Sequence, residues 1–299
     1  MNPWPSLPLA SWRDTYATLH RWTQIPGKIK LARTPLVNHW WNIAFLVTPR
    51  GPTTGSIPEG SGSFEMEFDF VDHRLVVTTS RRERKEIPLA PRSVARFYEE
   101  VVATLASLGI SVPIWTMPVE IPDPVRFEED ETHASYDPRA VENFHGVILR
   151  SNYVFQKFRA EFVGKSSPVH FFWGSFDLRV TRFSGRAAPE REGADAVTRE
   201  AYSHEVSSVG FWPGGPGCEE PVFYSYAAPE PAGFKERSVT PAAARYDTTL
   251  GEFLLPCDAI RTATDPEEDL LSFCRSSYGA AAENGRWDRP ALERTPALR

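Results

Sequence analysis

The sequence predicts an α+β fold: an internally duplicated helix, antiparallel sheet, helix unit, with two sheets packed around a shared core. Two observations carry this expectation. An alternating aromatic strand opened by a histidine occurs once in each half, at His39-Trp40-Trp41 and at His170-Phe171-Phe172, and each lies between segments with helical apolar spacing. The 27 prolines among 299 residues also favour short strands and fixed loops over long helices, because proline removes a backbone donor and locks φ.

In chain order, Trp12, Tyr16 and Leu19 place a first helix over 9–24, which Pro26-Gly27 is expected to end. Residues 37–48 alternate as a strand, with His39, Trp41 and Ile43 on one face. Phe64, Met66, Phe68 and Phe70 alternate with acids and predict a hairpin with Arg74 to Thr79. Pro91-Arg92-Ser93 opens a helix through Val94, Phe97, Val101 and Leu105 that Gly109 closes, and a short strand is expected at 114–117. Residues 121–138, with Pro122, Pro124 and the run Glu128-Glu129-Asp130-Glu131, divide a first repeat (1–120) from a second (139–284) as a solvated linker. Asp137 then caps a helix, and residues 169–181 alternate as one strand with His170 and Phe172 on one face and Trp173, Asp177 and Arg179 on the other. Strands at 203–212 and 222–227, a strand at 251–256 and a helix through Leu270, Phe273 and Tyr278 repeat the earlier order, and 285–299 reads as a loosely held tail.

A net charge of −6 with scattered lysines and arginines disfavours nucleic acid as a partner. No apolar run approaches the roughly 20 residues that span a bilayer, so no membrane partner is expected. Cys218, Cys257 and Cys274 have no paired spacing, which suits a reducing compartment, and the beginning of the chain lacks the charged and apolar regions of a signal peptide. A cytoplasmic protein is expected.

Several stretches resemble a bacterial family of unknown function: Asn38-His39-Trp40-Trp41, Glu67-Phe68-Asp69-Phe70-Val71-Asp72-His73, Thr132-His133-Ala134-Ser135-Tyr136-Asp137, His170-Phe171-Phe172-Trp173-Gly174-Ser175-Phe176-Asp177-Leu178, Ser203-His204-Glu205-Val206 and Gly210-Phe211-Trp212-Pro213-Gly214-Gly215. The resemblance covers nearly the whole chain except the tail, and it implies no particular reaction.

Histidine is the side chain most used for proton transfer near neutral pH. His39 and His170 occupy similar positions in the two halves, with His133, His204 and Glu205 as further candidates for acid/base work. Trp41, Trp173, Asp177, Arg179 and Tyr224 are the candidate substrate-binding residues, and Asp177, on an aromatic face, is expected to need Arg179 or Arg182 as a partner. No cofactor is implied. A divalent metal held by His39, His133, His170 and Glu205 is a minority reading, because no local pair has ligand spacing. The leading expectation is an enzyme acting on a small organic molecule in a pocket between the repeats, and the rivals are a non-catalytic binding protein and a protein-interaction module.

Overall fold

The computed structural model describes residues 4–190 and 192–294, and it has the expected α+β architecture. Helix α1 (Arg13–Arg33) precedes a first sheet of β1 (Leu46–Val47), β2 (Pro52–Thr53), β3 (Ile57–Glu59), β4 (Gly62–Asp69), β5 (Arg74–Thr79) and β6 (Arg84–Pro88), followed by α2 (Val94–Ser107). Helix α3 (Pro138–Ala160) precedes a second sheet of β7 (His170–Phe172), β8 (Asp177–Ala187), β9 (His204–Trp212), β10 (Val222–Ala228), β11 (Arg245–Asp247) and β12 (Glu252–Pro256). A short α4 (Ala196–Ala201) lies between β8 and β9, and α5 (Cys257–Thr262), α6 (Pro266–Asn284) and α7 (Arg289–Leu292) follow β12.

The first sheet runs β1-β2-β4-β5-β6 with β3 added on β4, and the second runs β7-β8-β9-β10-β12 with β11 added on β12. Strands lie in chain order in both, except that β3 pairs with β4 outside the row and β11 lies beyond β12 at the edge. The sheets meet edge to edge where Phe45 and Phe171 exchange backbone hydrogen bonds of 2.8 and 2.9 Å. One apolar core runs from Trp4 through both halves to Trp287.

The predicted hairpin, the Ser93 and Asp137 caps and the left-handed Gly109 (φ 72°) all form. Four readings are corrected. Pro26 does not end α1, since Ile25 and Ile29 are buried on either side and burial of the flanking turns outweighs one lost backbone bond. Gly27 is a packing site instead: a Cβ there would lie 2.3 Å from the Trp173 indole. Residues 37–45 are not a strand, because His39 (φ 58°) and Trp40 (φ 60°) are both left-handed and turn the chain before β1. Residues 169–181 form a hairpin turned at Phe176 (φ 58°), which reverses the facing expected from alternation and pairs His170 with Arg179. Residues 114–117 form no strand.

The acidic linker is largely exposed, with Glu128, Glu129 and Glu131 in solvent, but it is anchored at three buried positions. Phe127, Asp130 and Tyr136 are buried, and Asp130 accepts from the backbone of Thr132 and His133, from the His133 ring at 2.8 Å, and pairs with Arg21 of α1 at 3.3 Å. The tail docks as well: Trp287 is buried, and Val163 and Arg294 bond backbone to backbone with Leu292 and Glu161. Residues 295–299 of that predicted tail lie outside the described residues.

The Arg21 and Asp130 side chains are 7% and 0% exposed, so removing one leaves the other charged and buried. Asp130→Ala is expected to lower stability by about 3–5 kcal/mol in urea denaturation. A loss below about 1 kcal/mol would mean that the linker is not anchored by this pair.

Candidate functional site

A cleft of about 780 Å³ opens between α1, the 115–120 segment, α4 and one face of the second sheet. Its floor follows from register. Leu254, Tyr224, Gly210, Arg179 and His170 are successive partners across β12, β10, β9, β8 and β7, so they lie in one row on one face.

Gly210 shapes that row. A Cβ there would lie 2.3 Å from the Tyr224 ring, so only glycine lets the phenol lie across β9 toward β8. The Tyr224 hydroxyl reaches Asp177 and donates to one carboxylate oxygen, while the Ser175 hydroxyl donates to the other. Burial, with Asp177 alongside, pushes the Tyr224 phenol well above its ordinary value, which keeps it a donor.

The expected Asp177–arginine pairing is therefore corrected. Arg182 is buried on the other side of the sheet, where it donates to the carbonyl of Phe158 at the end of α3. Arg179 lies on the Phe172 ring, 3.9 Å from its centroid, and makes no hydrogen bond or ion pair with any described residue. Its guanidinium faces the cleft, its donors not engaged by any described residue.

Two carboxyl groups share the walls. Glu252 precedes Leu254 by two on β12, and burial, with Asp177 adding, raises its pKa to about 7 against the opposing pull of Arg179. Glu120 sits at a left-handed position (φ 55°) against Gly174, and burial raises its pKa too. α1 holds this wall through a polar row at four-residue spacing, His20, Gln24 and Lys28. The His20 ring meets the Gly174 carbonyl at 2.8 Å, and Gln24 makes reciprocal bonds of 2.8 and 2.9 Å with the backbone of Val119. Trp173 donates to the Ile43 carbonyl at 2.9 Å, and Leu31, Trp115, Val197 and Leu250 form an exposed apolar rim.

Of the predicted residues, Trp173, Asp177, Arg179, Tyr224 and His39 line the cleft. The others are placed elsewhere. Trp40 lines it in place of Trp41, because the left-handed turn exchanges their facing; the Trp41 ring instead stands 5.4 Å from His39 and 6.2 Å from His170, between them. His39 is held at both nitrogens, by Lys165 at 2.6 Å and the Glu200 carbonyl at 3.1 Å, and burial followed by Lys165 lowers its pKa. His170 is buried with Nδ1 unpartnered, and burial, then Lys30 and Arg179, lowers its pKa to about 3. His204 stacks edge-on against His39, Glu205 pairs with Arg186 at 2.6 Å, and His133 is in the Asp130 network. Among the described residues, no group of three or more His, Cys, Asp or Glu side chains is placed to hold a metal ion, so the four minority ligands do not assemble. Lys28, Glu120 and Glu252 are the residues that sequence reasoning missed; the four-residue polar row on α1 is the one signal that points to Lys28.

The fold and site define an α+β protein with an aromatic cleft around an arginine that pairs with no described residue. The chain belongs to a family of unknown function, DUF5996, which matches residues 4–294. No curated protein and no solved structure matches it.

The histidines give a pH test. Burial lowers the pKa of His20 to about 4 and of His170 to about 3 from their ordinary 6.5, so the unfolded chain binds more protons below pH 6.5. Stability is fully present above that value and falls as the pH drops toward 4, by on the order of 3 kcal/mol for one such group. His170→Phe is expected to flatten the fall in urea midpoint over this range while leaving the midpoint near pH 7.5 little changed. An unchanged slope would show that His170 takes up its proton in the folded protein.

Proposed function

We propose that the cleft is the site of an enzyme acting on a small organic acid, with the substrate carboxylate on Arg179 and its apolar body among Trp173, Tyr224 and Tyr226. The observation that carries this reading is Arg179 itself. A guanidinium that stays charged at every working pH stands in an aromatic cleft with no described carboxylate within ion-pair distance, although Asp177 is close enough to favour its charged form. Planar anions such as carboxylates match its fork of donors in two parallel bonds. The cleft volume of about 780 Å³ falls in the range that takes small organic ligands.

Glu252 and Glu120 favour an enzyme over a passive binder. A binding protein needs the anchor and the aromatic walls, but it has no use for a carboxyl group such as Glu252, whose pKa burial raises to about 7, or for a second one, Glu120, that burial also raises. Histidine serves here as framework.

We further infer that the two halves arose by duplication. The shared strand order and the edge pair Phe45–Phe171, the contact that equivalent strands make across a two-fold axis, support this. The three cysteines, all free and buried, support a cytoplasmic location, and the bacterial origin rests on the resemblance of the motifs.

Calorimetric titration of aromatic carboxylates against their neutral amides tests the anchor. The acids are expected to bind and the amides to bind roughly 10- to 100-fold more weakly, with Arg179→Met abolishing the difference. Equal binding of acid and amide by the unaltered protein would refute the reading.

A further inference from the structure

The cleft also holds an amine. Lys28 is the third member of the α1 polar row; it is 5% exposed and lines the cleft, and its ammonium lies 4.8 Å from the centre of the Trp115 ring. Its head makes no hydrogen bond or ion pair with any described residue. Other lysines show the contrast. Lys30, two residues on and equally sequestered, donates to the Ala44 carbonyl at 2.5 Å, and Lys165 meets His39 at 2.6 Å. Those two amines are held by protein partners, whereas the three donors of Lys28 have a ring face and the cavity.

We propose that Lys28 is a Schiff-base lysine, forming an imine with the carbonyl group of an oxo acid whose carboxylate lies on Arg179. This rests on the anion-anchor reading and names the substrate class. An amine is a nucleophile only without its extra proton, and a lysine head among apolar walls sheds that proton readily. Burial lowers the pKa of Lys28 from its ordinary 10.5 to about 8. The neutral amine attacks the carbonyl carbon, the nitrogen gives up its two protons as the carbon–oxygen bond breaks, and the oxygen leaves as water. One amine and one carbonyl become one imine and one water, with no oxidant or metal. The imine then draws electrons from the neighbouring carbon, the usual opening for proton removal or carbon–carbon cleavage beside a carbonyl.

Reductive trapping tests this directly. The full-length protein is incubated with phenylpyruvate, or with phenylacetone as the same ketone lacking a carboxylate, in the presence of cyanoborohydride, and labelled peptides are located by mass spectrometry. Phenylpyruvate is expected to label Lys28 at least roughly tenfold faster than the exposed Lys85 and Lys235, with half-maximal labelling near pH 8. Lys28→Arg is expected to remove the adduct, and Arg179→Met to slow its formation to the rate seen with phenylacetone. Labelling of Lys28 no faster than that of Lys85 and Lys235 would overturn the proposal; as this is read on the unaltered protein, it does not depend on a variant folding. Aromatic carboxylates that still bind in calorimetry with Lys28 unlabelled would leave the anchor standing and sink the lysine. Fast labelling of Lys28 by both ketones, unaffected by Arg179→Met, would sink the anchor and with it the oxo-acid assignment.

Discussion

Tyr224 lies across Gly210 and donates to Asp177, and the character of the cleft depends on that contact. A buried carboxylate next to an arginine would ordinarily take it as a partner, since each charge is costly to desolvate alone. Here two hydroxyl donors, from Tyr224 and Ser175, satisfy both Asp177 oxygens. The arginine is thereby released to lie on Phe172 and face the cavity. One missing Cβ in the middle of β9 therefore decides whether the site contains a closed ion pair or an open cation.

Helix α1 plays the complementary part. Gly27 admits the Trp173 indole against the helix, and His20 and Gln24 tie the 174 and 119 backbones to the same face. The wall of the cleft is thus fastened by polar bonds to a helix whose other faces are in the core and, through Arg21, in the Asp130 network. Such second-row contacts hold first-row groups within the small tolerances that chemistry needs. The edge pair of Phe45 with Phe171 sets the two sheets side by side, so the floor comes from the second half and the α1 wall from the first.

Much of the fold was legible from the sequence, because period and caps are local. The hairpin of β4 and β5, the Ser93 and Asp137 caps and strands β9 and β10 form where alternation and capping residues place them. What failed depended on non-local packing. Nothing within a few residues of Pro26-Gly27 reveals that an indole from residue 173 occupies the space over Gly27. Two consecutive left-handed residues, His39 and Trp40, are rare for side chains of that size, so alternation through them read as a strand. The hairpin turn at Phe176 had the same effect on facing, moving His170 onto the row of Arg179. For the site, the aromatic and charged residues of β8 and β10 were legible because they share a sheet face. Glu120, Glu252 and Lys28 come from three distant segments that only the tertiary fold brings together.

The open cation also connects binding to proton chemistry. Burial and Asp177 raise Glu252, while Arg179 pulls it down, leaving its pKa near neutrality at about 7. An anion on Arg179 cancels much of that pull and adds its own charge, so Glu252 holds its proton more firmly once the cleft is filled. Linkage makes the converse equally true: a proton on Glu252 strengthens anion binding. On the proposed reading, a carboxyl group that takes up a proton as an anion binds is a general acid prepared by binding itself. The same argument extends to Glu120, which burial and then Asp177 raise and Arg179 lowers in the same way. The cleft therefore holds an open cation, two buried carboxyl groups and an amine in one cavity, and on the proposed reading the guanidinium couples anion binding to the protonation of the carboxyl groups.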